Sequence, residues 1–581
     1  MYSSPKRGNA RTSVQCYTLV HFDAAAPFTR PMNWSSAPSR RSLFLLLLIG
    51  TLLWFGNLNY RKLINPDEGR YAEIPREMVA TGEWITPRLD GIKYFEKPAL
   101  QYWATAAAYE AFGEHEWTAR LWSALTGFLG ILLTYYAGVR LFGRDAGLFG
   151  ALVLGSSVLY AAIAHINTLD MGVTFFMGAT LECFLLAQRA GASPPESRFW
   201  MLATWVAMAL AMLSKGLIGI VLPGGVLVIY TLVSRDWRLW RRVQIGLGSL
   251  LFFLIAAPWF IAVTWKNPEF FHFFFIHEHF ERFLTREAHR YHPWYTFIPI
   301  LLLGILPWLA PFFAALRSGF AADGNGKGLQ ARRLLLIWSV FIFVFFSISD
   351  SKLPSYILPI FPALALLIGD VLARTRPRTF FWQSLPLAAL ALAGLLYSPF
   401  VTRLASDDVP KVLYAHYVPW LIAAFSVWTL SIVATLVFAR RGALRPAVLT
   451  LALGSFVAGQ LGMMGHNSLA PANSTYYLAR AIKPYLRPGA PFYSVGMYEQ
   501  TLPYYIKRTV TLVAHRGELG FGLDQQPSLW IPTVAGFERI WPQQPYALAI
   551  MPRGQLRHFL HDGLKMSVIA RNSRWTVVKT P

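Results

Sequence analysis

The side chains able to do acid–base or phosphate chemistry fall in a few short stretches of a chain that is otherwise strongly apolar. The richest reads Asn65-Pro66-Asp67-Glu68-Gly69-Arg70-Tyr71-Ala72-Glu73-Ile74-Pro75-Arg76-Glu77-Met78. Two adjacent carboxylates followed by an arginine can move a proton, hold a cation or clamp an anion. Asp67, directly after Pro66, is equally suited to capping the helix that follows. Tyr71, Ile74 and Met78 recur at helical spacing, which predicts an amphipathic helix in a membrane interface with Glu73, Arg76 and Glu77 on its solvated face. Further on, Tyr94-Phe95-Glu96-Lys97-Pro98 sets an acid beside a base. Lys97 suits a lipid phosphate at headgroup depth, and it suits equally an anchor whose ammonium snorkels to water.

His165-Ile166-Asn167-Thr168-Leu169-Asp170-Met171 puts Asp170 inside an apolar run, where an ionisable group is expensive enough to mark a function. Favouring the dipole of a helix start and pairing with a lysine are the competing readings. Lys215, after Met212-Leu213-Ser214, is read as opening a span from the same side. Phe270-Phe271-His272-Phe273-Phe274-Phe275-Ile276-His277-Glu278-His279-Phe280-Glu281-Arg282-Phe283 predicts an interfacial helix over a lipid groove. A divalent metal on His277 and Glu96 is the alternative, although no full ligand set stands at a recognised spacing. Last, Ser349-Asp350-Ser351-Lys352-Leu353-Pro354-Ser355-Tyr356 is a polar hairpin with Lys352 and Tyr356 one helical turn apart.

The elements that must position these residues are membrane spans. The 581 residues are 55% hydrophobic and 14% charged, too apolar for an ordinary soluble protein. About thirteen runs reach the roughly 17 to 25 apolar residues needed to cross the hydrocarbon. The net charge of +23 sits in short clusters between those runs, which argues for loop orientation and against a nucleic-acid face. Arginine-rich connections alternate with poor ones, and the rich set (Arg140 and Arg144, Arg189 and Arg198, Arg235 to Arg242, Arg317 to Arg333, Arg374 to Arg378, Arg440 to Arg445) is expected in the cytoplasm. Residues 59–116, the turn near Asn167, 214–215, 264–294, 349–352, 398–417 and everything after Gly465 are then outside.

Residues 1–41 read as a disordered cytoplasmic tail, 42–466 as the transmembrane domain and 467–581 as a small external α/β domain. The run from Ser42 to Leu58 is expected to be an uncleaved first span. Candidate strands of the external domain are Phe492 to Val495, Val510 to Val513, Tyr546 to Met551, Met566 to Ala570 and Trp575 to Val578. Cys16 and Cys183 cannot build a disulfide framework, and no nucleotide-binding glycine motif precedes a helix.

The order of these features resembles the protein O-mannosyltransferase-like (GT-C) membrane glycosyltransferases, which use polyprenyl-phosphate sugars and whose mark is an acidic site in the first external loop, here Asp67-Glu68. Together with Phe95-Glu96-Lys97-Pro98 and Lys352-Leu353-Pro354-Ser355-Tyr356-Ile357-Leu358-Pro359, the first motif is similar to the bacterial aminoarabinose transferases of that group, over nearly the whole chain from Arg41. The resemblance implies an α-helical polytopic fold with periplasmic juxtamembrane helices and a C-terminal mixed α/β domain, in the bacterial inner membrane with its active site facing the periplasm. It implies inverting transfer of 4-amino-4-deoxy-L-arabinose from undecaprenyl phosphate to lipid A phosphates, which confers resistance to polymyxin. Asp67 is the family's catalytic acid position; Asp170, Lys97 and Arg70 are expected beside it at the reacting groups. Glu68, Tyr94, Glu96, Lys215, Lys352 and Tyr356 are expected to bind donor or acceptor. Membrane lipids are further partners and nucleic acid is not. No cofactor is required, with a divalent metal at His277 and Glu96 left open, and a monomer is expected. The rival readings are a related enzyme acting on protein or another envelope acceptor, and a lipid-linked-sugar flippase.

Overall fold

The computed structural model describes residues 40–281, 292–321 and 328–581. The expected disordered tail, apart from its last two residues, and the end of the histidine-rich loop, Arg282 and Phe283, lie outside the described residues.

Backbone polar groups in hydrocarbon must be satisfied within their own segment, so the apolar runs fold as helices. Among the described residues, nine of them are long and apolar enough to cross a membrane. Two further crossings are broken: α5 (Arg144–Ser156) and α6 (Val158–Ala164) meet at 64°, and Trp294–Gly304 and Leu309–Ser318 meet at 114°. With the shorter apolar helix α9 (Ile218–Ser234) and the first helix, α1 (Arg40–Phe55), the described residues match the thirteen expected runs. The breaks were not anticipated, and they answer each other. The Val158 N–H donates to the Leu306 carbonyl at 3.2 Å, and the Trp308 indole donates to Ser156 Oγ at 3.0 Å. The second break thus supplies a carbonyl for the N–H that opens α6, and a side-chain hydrogen bond ties the two breaks together.

At one end of the bundle the arginine-rich connections are tied to one another. Glu196 binds Arg140 at 2.7 Å and Arg189 at 2.6 Å, Asp145 binds Arg445 at 2.9 Å, and Asp370 binds both Arg332 and Arg374. The other end carries α2 (Asp67–Thr81), a hairpin of β1 (Arg88–Leu89) and β2 (Ile92–Lys93), and α3 (Leu100–Phe112). Between these ends run, among others, α4 (Glu116–Phe142), α7 (Leu169–Gln188), α8 (Pro194–Lys215) and α10 (Ile245–Lys266). Lys215 closes α8 and does not open the next span, because the Gly216 N–H returns to the Met212 carbonyl and Gly216 turns the chain at φ 79°.

The C-terminal part forms a six-stranded sheet in the order β5-β4-β3-β6-β8-β7, where β3 is Phe492–Val495, β4 Thr511–Val513, β5 Trp530–Ile531, β6 Leu548–Pro552, β7 Ser567–Arg571 and β8 Trp575–Lys579. The β5-β4-β3-β6 pairs are parallel, and β8 joins β6 and β7 antiparallel. Five strands coincide with the expected ones; β5, only two residues long, has no alternating pattern to announce it.

Helix α2 departs from expectation. Glu73, Arg76 and Glu77, assigned to a solvated face, are buried. Glu73 grips Arg76 at 2.5 and 2.7 Å, and Glu77 accepts the backbone N–H groups of Asp90 and Gly91 at the hairpin turn. The Asp90 carboxylate in turn accepts the Val510 N–H at 2.7 Å, so hairpin and sheet domain together cover the face left to water in the sequence reading.

Close helix contacts depend on missing side chains. A Cβ on Gly369 would lie 2.5 Å from the Ala146 carbonyl oxygen and the Gly150 nitrogen. Gly369→Val should therefore cost about 1–3 kcal/mol by overpacking, read as a lower thermal midpoint of the detergent-solubilised protein. Gly246→Ala, whose Cβ meets nothing within 4 Å, should leave the midpoint unchanged.

Candidate active site

The site is built on Glu68, which is 1% exposed. Its two oxygens receive the Arg120 guanidinium at 2.7 and 2.8 Å, and they also accept the N–H groups of Asn167 and Ile64 at 3.1 and 3.0 Å. Arg120 donates its other hydrogens to the carbonyls of Leu58, Arg61 and Lys62. Burial pushes the Glu68 carboxyl up, but the Arg120 charge and hydrogen bonds, the Arg61 charge and the Asn167 N–H outweigh it and bring it down to about 2. Glu68 was expected to bind donor or acceptor. Its oxygens face inward and hold the segment before α2 against α4 and the turn before α7.

One residue earlier, Asp67 is the first residue of α2, and Pro66, which has no capping side chain, takes the N-cap position. The Asp67 side chain is 47% exposed and meets Arg70 at 3.1 Å. Arg70 is surrounded: its Nε donates to Gln500 at 2.9 Å, and one terminal nitrogen lies 3.2 Å from the Tyr94 hydroxyl and 2.5 Å from Glu518. Gln500 and Glu518 come from the C-terminal domain. The domain can approach because residue 69 is glycine; a Cβ there would lie 2.5 Å from the Gln500 backbone.

Across the helix ends, Asp170 and Lys215 form an ion pair, and the Lys215 ammonium sits 4.9 Å from the centre of the Tyr356 ring. The Asp67 charge reaches Lys215 as well, which joins this pair to the Arg70 group. Lys97 donates to the Glu96 carbonyl at 2.7 Å and lies 3.3 Å from the Glu278 carboxylate and 3.9 Å from that of Glu96. His277 stacks on Phe273 and stands 3.9 Å from Glu278. The charge of Glu96 acts on buried Tyr94 and Tyr102, so the Lys97 group borders the Arg70 group through those two rings. Lys352 is the exception: its ammonium donates to the Ser349 and His292 carbonyls and ties down its own turn.

For a metal at His277 and Glu96, the structure puts the Lys97 ammonium beside the carboxylates that an ion would need. Among the described residues, the His, Asp and Glu groups that come together as three candidate ligands are Glu538, His558 and Asp562 in the sheet domain. The sequence reading missed Arg120, Arg61, Gln500 and Glu518. Arg120 sits inside an apolar run and carries the same warning as Asp170; for Gln500 and Glu518 no local pattern exists, since only the tertiary fold brings them to Arg70.

A family described as dolichyl-phosphate-mannose-protein mannosyltransferase matches residues 40–274, and one described as aminoarabinose transferase C-terminal domain matches 478–580. An undecaprenyl phosphate-alpha-4-amino-4-deoxy-L-arabinose arabinosyl transferase of Aeromonas hydrophila is 33% identical over 412 residues, 66% of this chain and 73% of that protein. Its counterpart from Pectobacterium carotovorum is 31% identical over 495 residues, 83% of this chain and 86% of that protein. The crystal structure of ArnT from Cupriavidus metallidurans bound to undecaprenyl phosphate is 40% identical, with a TM-score of 0.89, over 93% of this chain and 98% of that one. A bundle of spans that gathers its ionisable groups under a C-terminal sheet domain is here the fold of a GT-C membrane glycosyltransferase working from a lipid-linked sugar. Within that class, the chain belongs to the family of undecaprenyl phosphate-α-4-amino-4-deoxy-L-arabinose arabinosyl transferases.

Removing the Glu68 charge leaves Arg120 buried without its counter-ion, so Glu68→Gln should cost about 3–5 kcal/mol. The folded carboxyl titrates near 2 and an unfolded one near about 4.3, so the pair stabilises fully above the unfolded value and fades as the pH falls towards 2. The gap in thermal midpoint between native and Glu68→Gln protein should stay constant from about pH 7 to about pH 5 and narrow below about pH 4.

Proposed function

We propose that the protein transfers 4-amino-4-deoxy-L-arabinose from undecaprenyl phosphate to the phosphate groups of lipid A on the periplasmic face of the bacterial inner membrane. The observation that carries this reading is the gathering of Asp67, Arg70, Asp170, Lys215 and Lys97 at the end of the bundle opposite the arginine-rich connections, where a phosphate-linked sugar meets both cations and carboxylates. An acceptor phosphate oxygen attacks the anomeric carbon, the bond from that carbon to the undecaprenyl phosphate oxygen breaks, and the configuration inverts. The acceptor is already anionic, so no base has to deprotonate it. Negative charge grows on the leaving phosphate, and cations fixed in place beforehand stabilise that charge most effectively. Lys97 and Arg70 serve the leaving group, with Lys215 assisting; Lys352, whose ammonium is held by the Ser349 and His292 carbonyls, stands apart. Asp67 and Asp170 hold the sugar's ammonium or orient the acceptor, and Tyr94, Glu96 and Tyr356 line the same space. The product's added ammonium lowers the negative surface charge that attracts polybasic peptides, the basis of polymyxin resistance.

Purified protein given undecaprenyl phosphate-linked aminoarabinose and lipid A should add one aminopentose to lipid A, read by mass spectrometry. Asp67→Asn and Lys97→Ala should each lower that rate by about 10²- to 10³-fold while undecaprenyl phosphate still binds. Translocation of the donor with no sugar transferred would replace this reading by a flippase. Because Lys97 already stands between the carboxylates of Glu96 and Glu278, transfer should continue unchanged in a chelator; loss restored by one divalent ion would instead place a metal at His277 and Glu96.

A further inference from the structure

Apart from the cluster around Asp67, the C-terminal domain borders a cavity of about 500 Å³ lined by Asp407, Arg553, Arg557, Arg571, Ser573 and Thr576. Arg553 and Arg557, four residues apart, share a face of the helix Arg553–His561, and Arg571 ends the neighbouring strand β7. Gly554 lies in the same wall, and a Cβ added there would meet nothing within 4 Å, so the space before it is open.

The charge of this cavity is unbalanced. Asp408 faces Arg574 at 3.9 Å and Asp562 faces His558 at 3.4 Å, which leaves Asp407 as the carboxylate in the lining. Among the described residues, the guanidinium groups of Arg553, Arg557 and Arg571 have no ion pair and no side-chain hydrogen bond to the protein. Three guanidinium forks around one cavity fit phosphate oxygens in both charge and shape. The depth is also informative. Asp407 stands in the short link between the apolar helical segment ending at Leu404 and the one beginning at Lys411, the level at which lipid headgroups lie.

We infer that this cavity is a second binding site, one that takes the phosphate of a lipid headgroup. Two sources share that chemistry: an anionic phospholipid of the surrounding membrane, and a phosphorylated glycolipid such as the acceptor, the latter alone resting on the function proposed above.

Native mass spectrometry of the full chain in detergent separates them, with dioleoylphosphatidylglycerol, bisphosphorylated lipid A and zwitterionic dioleoylphosphatidylcholine offered in turn. The triple variant R553Q/R557Q/R571Q should bind phosphate-bearing anionic lipid at least about tenfold more weakly, with phosphatidylcholine binding and thermal midpoint unchanged. A loss shared by phosphatidylglycerol and lipid A supports a membrane phospholipid as the occupant; a loss confined to lipid A supports the acceptor. Unaltered binding of both anionic lipids overturns the site. Should the triple variant fail to fold, Arg571→Gln alone, at the exposed strand end, should show a loss of about fivefold. Transfer activity is scored separately on the native protein. Absent transfer with arginine-dependent lipid binding removes the enzymatic reading only, and intact transfer with arginine-independent binding removes the second site only.

Discussion

The contact between Glu68 and Arg120 is the constraint from which the α2 end of the molecule is built. Taking both charges out of water costs several kcal/mol, and the two-pronged geometry offsets that cost only because every remaining lone pair and hydrogen is also engaged. Those extra partners are what give the pair its reach. Through Leu58, Arg61 and Lys62 it fixes the start of the long segment between α1 and α4, through Ile64 the entry to α2, and through Asn167 the turn before α7. Asp67 directly precedes Glu68, and Asp170 follows Asn167 by three residues. Two acids far apart in the chain are thereby set at one place by a single buried carboxylate between them.

The C-terminal domain completes this arrangement. Arg70 would be a mobile cation at the start of a helix if only Asp67 held it; Gln500, Glu518 and Tyr94 leave its guanidinium one orientation. A side chain at position 69 would push the Gln500 backbone away, so the glycine of the Asp67-Glu68-Gly69-Arg70 motif serves the docking of a domain more than four hundred residues on. The same domain covers the remaining polar face of α2 and places Phe521 against Phe273, with ring centres 4.0 Å apart, in the helical segment His272–Glu281 that carries His277 and Glu278. Sheet domain, hairpin and phenylalanine-rich helical segment therefore form one continuous wall around Arg70 and Lys97.

Much of this was legible in the sequence for a simple reason. Hydrocarbon imposes length and helicity on every span, so thirteen runs can be found from apolarity alone. Five of six strands follow from apolar segments between turn residues. The failures share a cause. Glu73, Arg76 and Glu77 read as solvated because charge normally means surface, and only a domain docked from elsewhere makes their burial tolerable, through partners such as the Asp90 and Gly91 amides. Glu68 and Asp67 are indistinguishable as neighbouring acids; their division into a buried anchor and an accessible carboxylate depends on Arg120, fifty-two residues away. The broken spans escaped notice because an apolar run keeps its composition through a bend.

The charges around the site bear on which sugar it accepts. By formal charge, Arg70, Lys97 and Lys215 face Asp67, Asp170, Glu96, Glu278 and Glu518, five carboxylates against three cations. A site meant only for phosphate would be expected to carry the opposite excess, since each added carboxylate repels the leaving group it must stabilise. On the proposed reading the surplus matches the ammonium of the aminosugar. That charge enters with the donor, sits on C4 across the ring from the anomeric carbon and leaves with the product, so the carboxylates favour a cationic sugar while the cations favour its phosphate. A neutral hexose on the same carrier would leave the excess carboxylates without a counter-charge in a partly buried site, and discrimination between the two sugars would follow from electrostatics before any hydroxyl is read.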